Sequence, residues 1–182
     1  MKTDNTTNNL RKHGSCRPVS MFALLPIAIF ALFVLLTACS SVDCPVQNAV
    51  YTVYKVMKSD GTPDTLRDTL TVSTTRTDGS DSVLLNLSVN TTTFNLPVSY
   101  NEPEDTLIFE LRGYEWQMTD SVFVKKDNYP HFESVDCNIS FFHSIRGVRW
   151  TRNFIDSIAI NNQQVNYDPS PEHFHIYIKA RP

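Results

Sequence analysis

The chain contains little glycine, and its few glycines are scattered. Only five of the 182 residues are glycine, so we expect no loops whose backbone closes around a phosphate group. The Gly-x-Ser-x-Gly turn of many serine hydrolases and the His-Glu-x-x-His pattern of zinc proteases are both missing. Helical periodicity is also scarce after residue 38. These absences argue against a nucleotide-binding protein and against the commonest hydrolase and metalloprotease types.

What the chain does have is an export signal at its start. Residues 1–20 hold four bases against one acid: Lys2, Arg11, Lys12 and Arg17 against Asp4. An apolar run without charge follows from Met21 to Ala38, and it ends at Leu-Thr-Ala-Cys, which resembles the lipobox of a lipoprotein signal. We therefore predict that residues 1–38 are a lipoprotein signal peptide and that Cys39 carries the lipid. The alternative is an uncleaved signal anchor, because the run approaches the roughly 18 to 20 residues needed to cross a bilayer.

The mature chain would run from Cys39 to Pro182. We expect residues 39–48 to be the lipidated N-terminus with a short tether, and residues 49–182 to be a single domain. Removing the four bases and Asp4 leaves 12 bases and 18 acids, a net charge of −6. This charge excludes a nucleic-acid partner and strong electrostatic adhesion to anionic lipid.

The four cysteines are expected to have different roles, which depend on their positions in the chain. Cys16 lies in the signal, Cys39 would take the lipid, and Cys44 and Cys137 remain as a pair. Outside the cytoplasm we predict a disulfide between these two. It would close a loop of about 94 residues, for which chain entropy gives roughly 4 to 5 kcal/mol. Two unpaired buried thiols are the alternative.

Short alternating runs rich in β-branched and aromatic residues fill the mature chain, separated by Asp, Asn, Gly and Pro. They predict an all-β domain, an antiparallel β-sandwich or partly open barrel of about 8–9 strands. The candidate strands are residues 50–58, 66–74, 82–89, 92–100, 106–112, 121–126, 139–149, 153–160 and 173–179.

An Asp-hydroxyl-apolar triplet occurs six times, at or near the starts of these runs. One interpretation is structural, because Asp ends a turn by accepting backbone hydrogen bonds and the next two residues begin a strand. The other is modification, because the triplet resembles the acceptor for periplasmic O-glycosylation in Bacteroidota. The candidate hydroxyls are those of Thr65, Thr69, Ser82, Thr106, Ser121 and Ser157.

The densest group of chemically active side chains lies at residues 131–137. His131, Ser134 and Asp136 provide a base, a nucleophile and an acid, but closeness in sequence does not define a catalytic triad. We therefore assign no catalytic residue, and keep an envelope hydrolase using this region as an alternative. The structural interpretation is an irregular connection held by Cys137, with Tyr129 and Phe132 packed inward.

Metal and ligand sites are weakly indicated. His173 and His175 would face the same side of one strand, and His143, His131, Asp136 and Cys137 are further donors. Zinc needs three or four ligands in tetrahedral geometry, and no spacing provides them, so we assign no metal and no cofactor. Two solvent-facing strand histidines are the simpler interpretation. The aromatic residues suited to stacking on a sugar ring, or else to packing in the core, are Tyr54, Tyr100, Trp116 and Trp150.

Several segments together resemble a family of uncharacterised Bacteroidota lipoproteins that contain a domain of unknown function. The segments are LLTACSSVDCP, DTLTV, DSVLLN, NYPHFESVDC, SFFHSIRGV, FIDSIAINN and VNYD. The similarity covers about residues 39–182. It implies the organism group and the membrane anchor, and it implies no activity.

These observations favour a non-enzymatic binding or scaffolding module of the cell envelope, attached to membrane lipid through Cys39. An envelope protein or a glycan would be its partner. A third candidate, besides the hydrolase, is a subunit of an envelope assembly that pairs through an exposed strand edge.

Surface-exported lipoproteins of the phylum carry several acids behind the lipidated cysteine, whereas only Asp43 follows here. We therefore expect the periplasmic face of the outer membrane.

Overall fold

The structure, a computed structural model, describes Cys44, residues 49–75 and residues 79–180. The predicted signal peptide, the predicted lipidation site at Cys39 and most of the predicted tether therefore lie outside the described residues. Residues 43–182 form one compact unit. Among the described residues no helix is long and apolar enough to cross a membrane.

Ten β-strands make up the described part of the chain, in the order β1 (Tyr51–Met57), β2 (Thr69–Thr75), β3 (Asp81–Ser88), β4 (Thr93–Pro97), β5 (Glu104–Arg112), β6 (Gln117–His131), β7 (Ser140–Trp150), β8 (Ile155–Ile160), β9 (Gln164–Val165) and β10 (Phe174–Ile178). They alternate between buried and exposed positions along most of their length, as half-buried strands do. The predicted all-β fold is confirmed.

The strands form two sheets, one of them curled into a half-barrel. The smaller sheet has the order β4-β1-β10-β8 and the larger has the order β3-β2-β5-β6-β7-β9. All strand pairs are antiparallel except β1 with β10, which pair in parallel, with Tyr54 opposite Phe174. The sandwich is therefore not wholly antiparallel, because the two ends of the domain meet in the middle of the smaller sheet.

A single apolar core joins the two sheets. Tyr54 and Phe174 of the smaller sheet stack with ring centroids 4.8 Å apart, and Phe109 of the larger sheet meets the Tyr54 ring edge-on at 6.1 Å. Burying these large rings provides much of the hydrophobic stabilisation. Tyr54 is therefore a core residue, not a surface for sugar.

The strands differ from the sequence prediction mainly in length. The fifteen-residue β6 runs from Gln117 to His131, well beyond the predicted residues 121–126. Strand β9, which the sequence did not predict, is only two residues long and pairs with β7 at His143 and Ser144. Two residues carry no periodicity, so the sequence contained no signal for β9.

Candidate functional site

A groove of about 280 Å³ opens beside the start of β7. Three parts of the chain form it: the residues that lead into β1, the residues that follow β4, and the first residues of β7. Its lining residues are Ala49, Val50, Val98, Ser99, Tyr100, Phe141 and His143. An apolar concave surface with few polar groups is the usual form of a small-ligand site.

Two aromatic rings form one wall of the groove. Tyr100 stacks on Phe141 with ring centroids 4.9 Å apart and an angle of 10° between the ring planes. The Tyr100 side chain is exposed, and Phe141 is half-buried. Such a wall presents a flat apolar surface that can contact another ring or the apolar face of a sugar.

His143 lies at the base of the groove and is buried. Its Nδ1 atom is 2.7 Å from Oδ1 of Asn128. The Asn128 amide nitrogen donates to the carbonyl oxygens of Tyr100 and Glu102, which fixes the amide so that Oδ1 accepts. His143 therefore carries its proton on Nδ1, and Nε2 keeps a lone pair that no donor among the described residues occupies.

The imidazole of His143 is neutral at neutral pH. Burial, together with the positive charge of Lys126, lowers its pKa to about 4. His143 thus lines the groove as a neutral imidazole with an acceptor at Nε2.

A buried ion pair lies behind the groove. The Lys126 ammonium donates to Asp105 Oδ1 at 2.8 Å and to the Glu102 carbonyl at 2.9 Å. A cavity of about 10 Å³, just large enough for one water molecule, is lined by this pair together with Tyr54 and His143. Burial raises the pKa of Asp105, while Lys126 acts in the opposite direction. Since each charge has a partner, the site has no net charge to attract an ion.

The residues of the hydrolase hypothesis have separate partners. His131 Nε2 is 2.9 Å from a Glu133 carboxylate oxygen, and its ring stacks on Phe142 at 4.1 Å. Ser134 Oγ accepts a hydrogen bond from the backbone N–H of Asp136. Within the described part of the chain no hydrogen bond joins Ser134 to His131, so the nucleophile and base of a triad are not assembled here.

The turn that contains these residues also differs from the structural interpretation. We expected Tyr129 and Phe132 to pack inward, and both are exposed instead, by 45% and 64%. The reason is the length of β6, which continues to His131. Strand alternation places Tyr129 outward there, and Phe132 lies in the turn beyond the core.

The two histidines near the C-terminus do not share a ligand. His173 is buried: its Nδ1 accepts from the Val53 N–H at 3.0 Å, and its Nε2 donates to the Gln164 carbonyl at 3.0 Å. His175 instead pairs with Glu172 at 2.9 Å. The expectation that both face solvent is wrong for His173, whose ring connects β1 to β9. Among the described residues no group of three metal-binding side chains occurs.

The six triplets have different environments. Thr65 and Thr106 are exposed, whereas Thr69, Ser82, Ser121 and Ser157 are half-buried. Asp120, which precedes Ser121, is fully buried. Its carboxylate accepts from the Thr151 hydroxyl and from three backbone N–H groups, those of Asn153, Phe154 and Ile155. This triplet therefore has a structural role, but not the expected one, because Asp120 lies within β6 and holds the distant segment that leads into β8 rather than its own turn.

A disulfide joins Cys44 and Cys137 in the structure. Their Cα atoms are 5.4 Å apart, and their sequence numbers differ by 93. The link ties the segment before β1 to the turn between β6 and β7.

Sequence reasoning named Tyr100 and His143 separately and missed what joins them. Lys126 and Asn128 were not predicted as site residues. The sequence signal that could have found them is the alternation of buried and exposed residues in β6, which continues past residue 124. Buried positions on one face of this strand are Asp120, Val122, Val124 and Lys126.

Comparison with known proteins gives a family and no activity. No match was found among curated proteins or among solved structures. Residues 69–178, from the start of β2 to the end of β10, match a family of unknown function. That range covers more than half of the chain and includes Phe141 and His143 of the groove. The chain therefore belongs to the family of unknown function DUF6452.

Proposed function

We propose that this protein is a lipid-anchored, non-enzymatic binding module of the cell envelope, and that the groove beside β7 is its binding site. The observation that carries the proposal is the combination of an aromatic wall, Tyr100 on Phe141, with the neutral acceptor of His143. The lipobox-like sequence before Cys39 supports the anchor. The sequence resemblance supports a Bacteroidota origin, and the single acid after Cys39 supports the periplasmic face of the outer membrane.

The groove favours an uncharged ligand that contains a ring and a hydrogen-bond donor. The ring would stack on Tyr100, and a hydroxyl or N–H of the ligand would donate to Nε2 of His143. A carboxylate or phosphate would find no charge to pair with, since Lys126 is already paired with Asp105, and its desolvation would oppose binding. A glycan or an aromatic side chain of a partner protein meets these requirements.

The ligand chemistry is tested with two small probes of equal ring size, phenol and benzoate. Binding to the full mature protein is followed by nuclear magnetic resonance chemical-shift changes. We expect phenol to shift the signals of His143 and Tyr100, and benzoate to bind at least several-fold more weakly at pH 7.

The matched variants are Tyr100→Ala and Tyr114→Ala. Both tyrosines are exposed, but Tyr114, which is 98% exposed in the β5–β6 turn, does not line the groove. Phenol binding should fall in Tyr100→Ala and stay unchanged in Tyr114→Ala. Equal binding of phenol and benzoate, or equal loss in both variants, would contradict the proposed site.

The anchor is tested separately. The intact mass of the protein from native membranes should equal a chain starting at Cys39 plus a lipid. Cys39→Ser should abolish lipid attachment, while Cys16→Ser, in the segment that is removed, should leave it unchanged. A native mass that includes residues 1–38 would favour the uncleaved anchor.

An assembly subunit is the second candidate, and strand β3 favours it. This strand is an edge of the larger sheet and has one acid, Asp81, at its start. Val83 and Leu87 on it, and Val89 beyond it, are each more than half exposed. Unpaired edges of this kind can add a strand from another chain. Size-exclusion chromatography with light scattering tests the idea: Val83→Lys should lower the mass if β3 pairs with a second copy.

A further inference from the structure

The turn between β6 and β7, residues 132–139, exposes three large apolar side chains. Phe132 is 64% exposed, Val135 is 99% exposed and Ile139 is 48% exposed. Single exposed apolar residues are ordinary on protein surfaces. Three in a turn of eight residues form a concentrated apolar tip that water solvates poorly.

Covalent bonds hold this tip close to the proposed lipid. Cys137, within the turn, is bonded to Cys44, and Cys44 follows Cys39 by five residues. Five residues span at most about 18 Å when fully extended. With the 5.4 Å between the Cα atoms of Cys44 and Cys137 added, Cys137 cannot lie farther than about 23 Å from the Cα atom of Cys39, which would carry the acyl chains.

The charges of the turn indicate which kind of surface it fits. Residues 132–139 contain no Lys or Arg, and their two acids are Glu133 and Asp136. Glu133 is paired with His131 at 2.9 Å. An acidic turn is not attracted electrostatically to anionic lipid. Its contact with a bilayer would therefore come from its apolar side chains.

We infer that the turn 132–139 is a second membrane contact, which inserts Phe132, Val135 and Ile139 into the interface of the bilayer that holds the lipid anchor. The inference rests on the proposed lipidation at Cys39. It fixes the orientation of the domain, with the β6–β7 turn toward the membrane. Phe141, which is two residues beyond Ile139, then brings the groove close to the same surface.

Depth-dependent quenching of tryptophan fluorescence tests the contact. The full chain, processed and lipidated in cells, is reconstituted on phosphatidylcholine vesicles with brominated acyl chains. Val135→Trp and Phe132→Trp each place a probe at an exposed position, so a change of fold is not expected. We expect the probe in both variants to lose most of its emission relative to vesicles without bromine.

The native tryptophans give an internal reference. Trp150 ends β7, about 33 Å along the strand from its start at Ser140, at roughly 3.3 Å per residue, and Trp116 immediately precedes β6. Both lie at the other end of the larger sheet. Tyr114→Trp, at a position in the β5–β6 turn that is 98% exposed, is the matched control and should keep its emission.

The outcomes distinguish the inferred membrane contact of the turn from the proposed lipid anchor at Cys39. Flotation with the vesicles and quenching at residues 132 and 135, but not at 114, supports the contact. Flotation without quenching at either turn position overturns the contact and leaves the anchor intact. Failure of the unsubstituted chain to float overturns the anchor and the contact with it. Quenching that appears only when anionic lipid is added also contradicts the inference, because the turn offers it no cation.

Discussion

The Lys126 ammonium lies 2.8 Å from the Asp105 carboxylate inside the domain, where 1% of the Lys126 side chain and 13% of the Asp105 side chain are exposed. The pair connects β5 to β6, which are neighbours in the larger sheet. Because the Glu102 carbonyl also accepts from Lys126, the cation is satisfied on two sides. This arrangement leaves no unpaired charge behind the groove.

Replacing Lys126 by methionine should destabilise the domain by about 3 to 5 kcal/mol, because it leaves the Asp105 carboxylate buried without a partner. Urea unfolding measures the change. The control is Arg112→Met, which breaks the exposed pair with Glu110 and should cost at most about 1 kcal/mol. The double variant Lys126→Met with Asp105→Leu should recover much of the loss. A single variant as stable as the control would contradict this account.

Acid should destabilise the fold through its buried histidines. The pKa of His143 is about 4 in the folded protein, against about 6.5 when unfolded, so below pH 6.5 the unfolded chain binds the proton first. Stability is therefore complete above pH 6.5 and is lost as the pH falls toward 4, by up to about 3 kcal/mol for this group. Burial also lowers the pKa of His173, which adds in the same direction.

Unfolding at pH 7.5 and pH 4.5 measures this loss. His143→Gln keeps a polar side chain near Asn128 and removes the titration, so its stability should depend less on pH over this range. If the variant and the natural sequence lose the same stability on acidification, His143 is not the group responsible.

The Asp120 carboxylate should be essential to the loop between β7 and β8. Asp120→Asn keeps the volume but replaces one carboxylate oxygen by an NH2 group, so two of the four donors, either Thr151 and Asn153 or Phe154 and Ile155, lose their acceptor. We expect a loss of about 3 kcal/mol in urea unfolding. Asp156→Asn is the matched control, since this exposed acid begins the same kind of triplet, and it should change stability by less than about 0.5 kcal/mol. Equal losses would refute the role of Asp120.

The Cys44–Cys137 bond should be found by peptide mapping under non-reducing conditions. Its removal by Cys44→Ser with Cys137→Ser should destabilise the domain by about 2 to 4 kcal/mol, because the bond restricts a long loop in the unfolded chain. The same double variant treated with reductant should show no further change. Detection of Cys44 as a free thiol in the native protein would remove this link and the argument that the β6–β7 turn lies near the anchor.

O-glycosylation, if the triplets are used, should occur at the exposed hydroxyls of Thr65 and Thr106, because a transferase needs access to the acceptor. Thr65 is the better placed of the two, since it lies in the loop between β1 and β2, outside any strand. Intact mass of the native protein, and its decrease in Thr65→Ala, measure the modification. A mass equal to polypeptide plus lipid would exclude it.

Part of the site could be predicted from the sequence. Alternation along β6 predicts that the residues in phase with Val122 point inward, and Lys126 is one of them. Its partner was not predictable, because Asp105 lies on another strand and only the β5–β6 register brings the two together. The same holds for Tyr100 and Phe141, which are 41 positions apart in the sequence numbering and meet only through folding.

The sequence alone determined the all-β class, because side-chain alternation is a local property of each strand. It also contains the lipobox-like motif on which the proposed anchor depends, since such motifs are linear. The tertiary structure decided the rest. It buried His173, left Phe132 exposed, and joined Tyr100, Phe141 and His143 into one groove. These outcomes depend on strand register and on contacts between distant residues, and such contacts leave no periodicity in a single sequence.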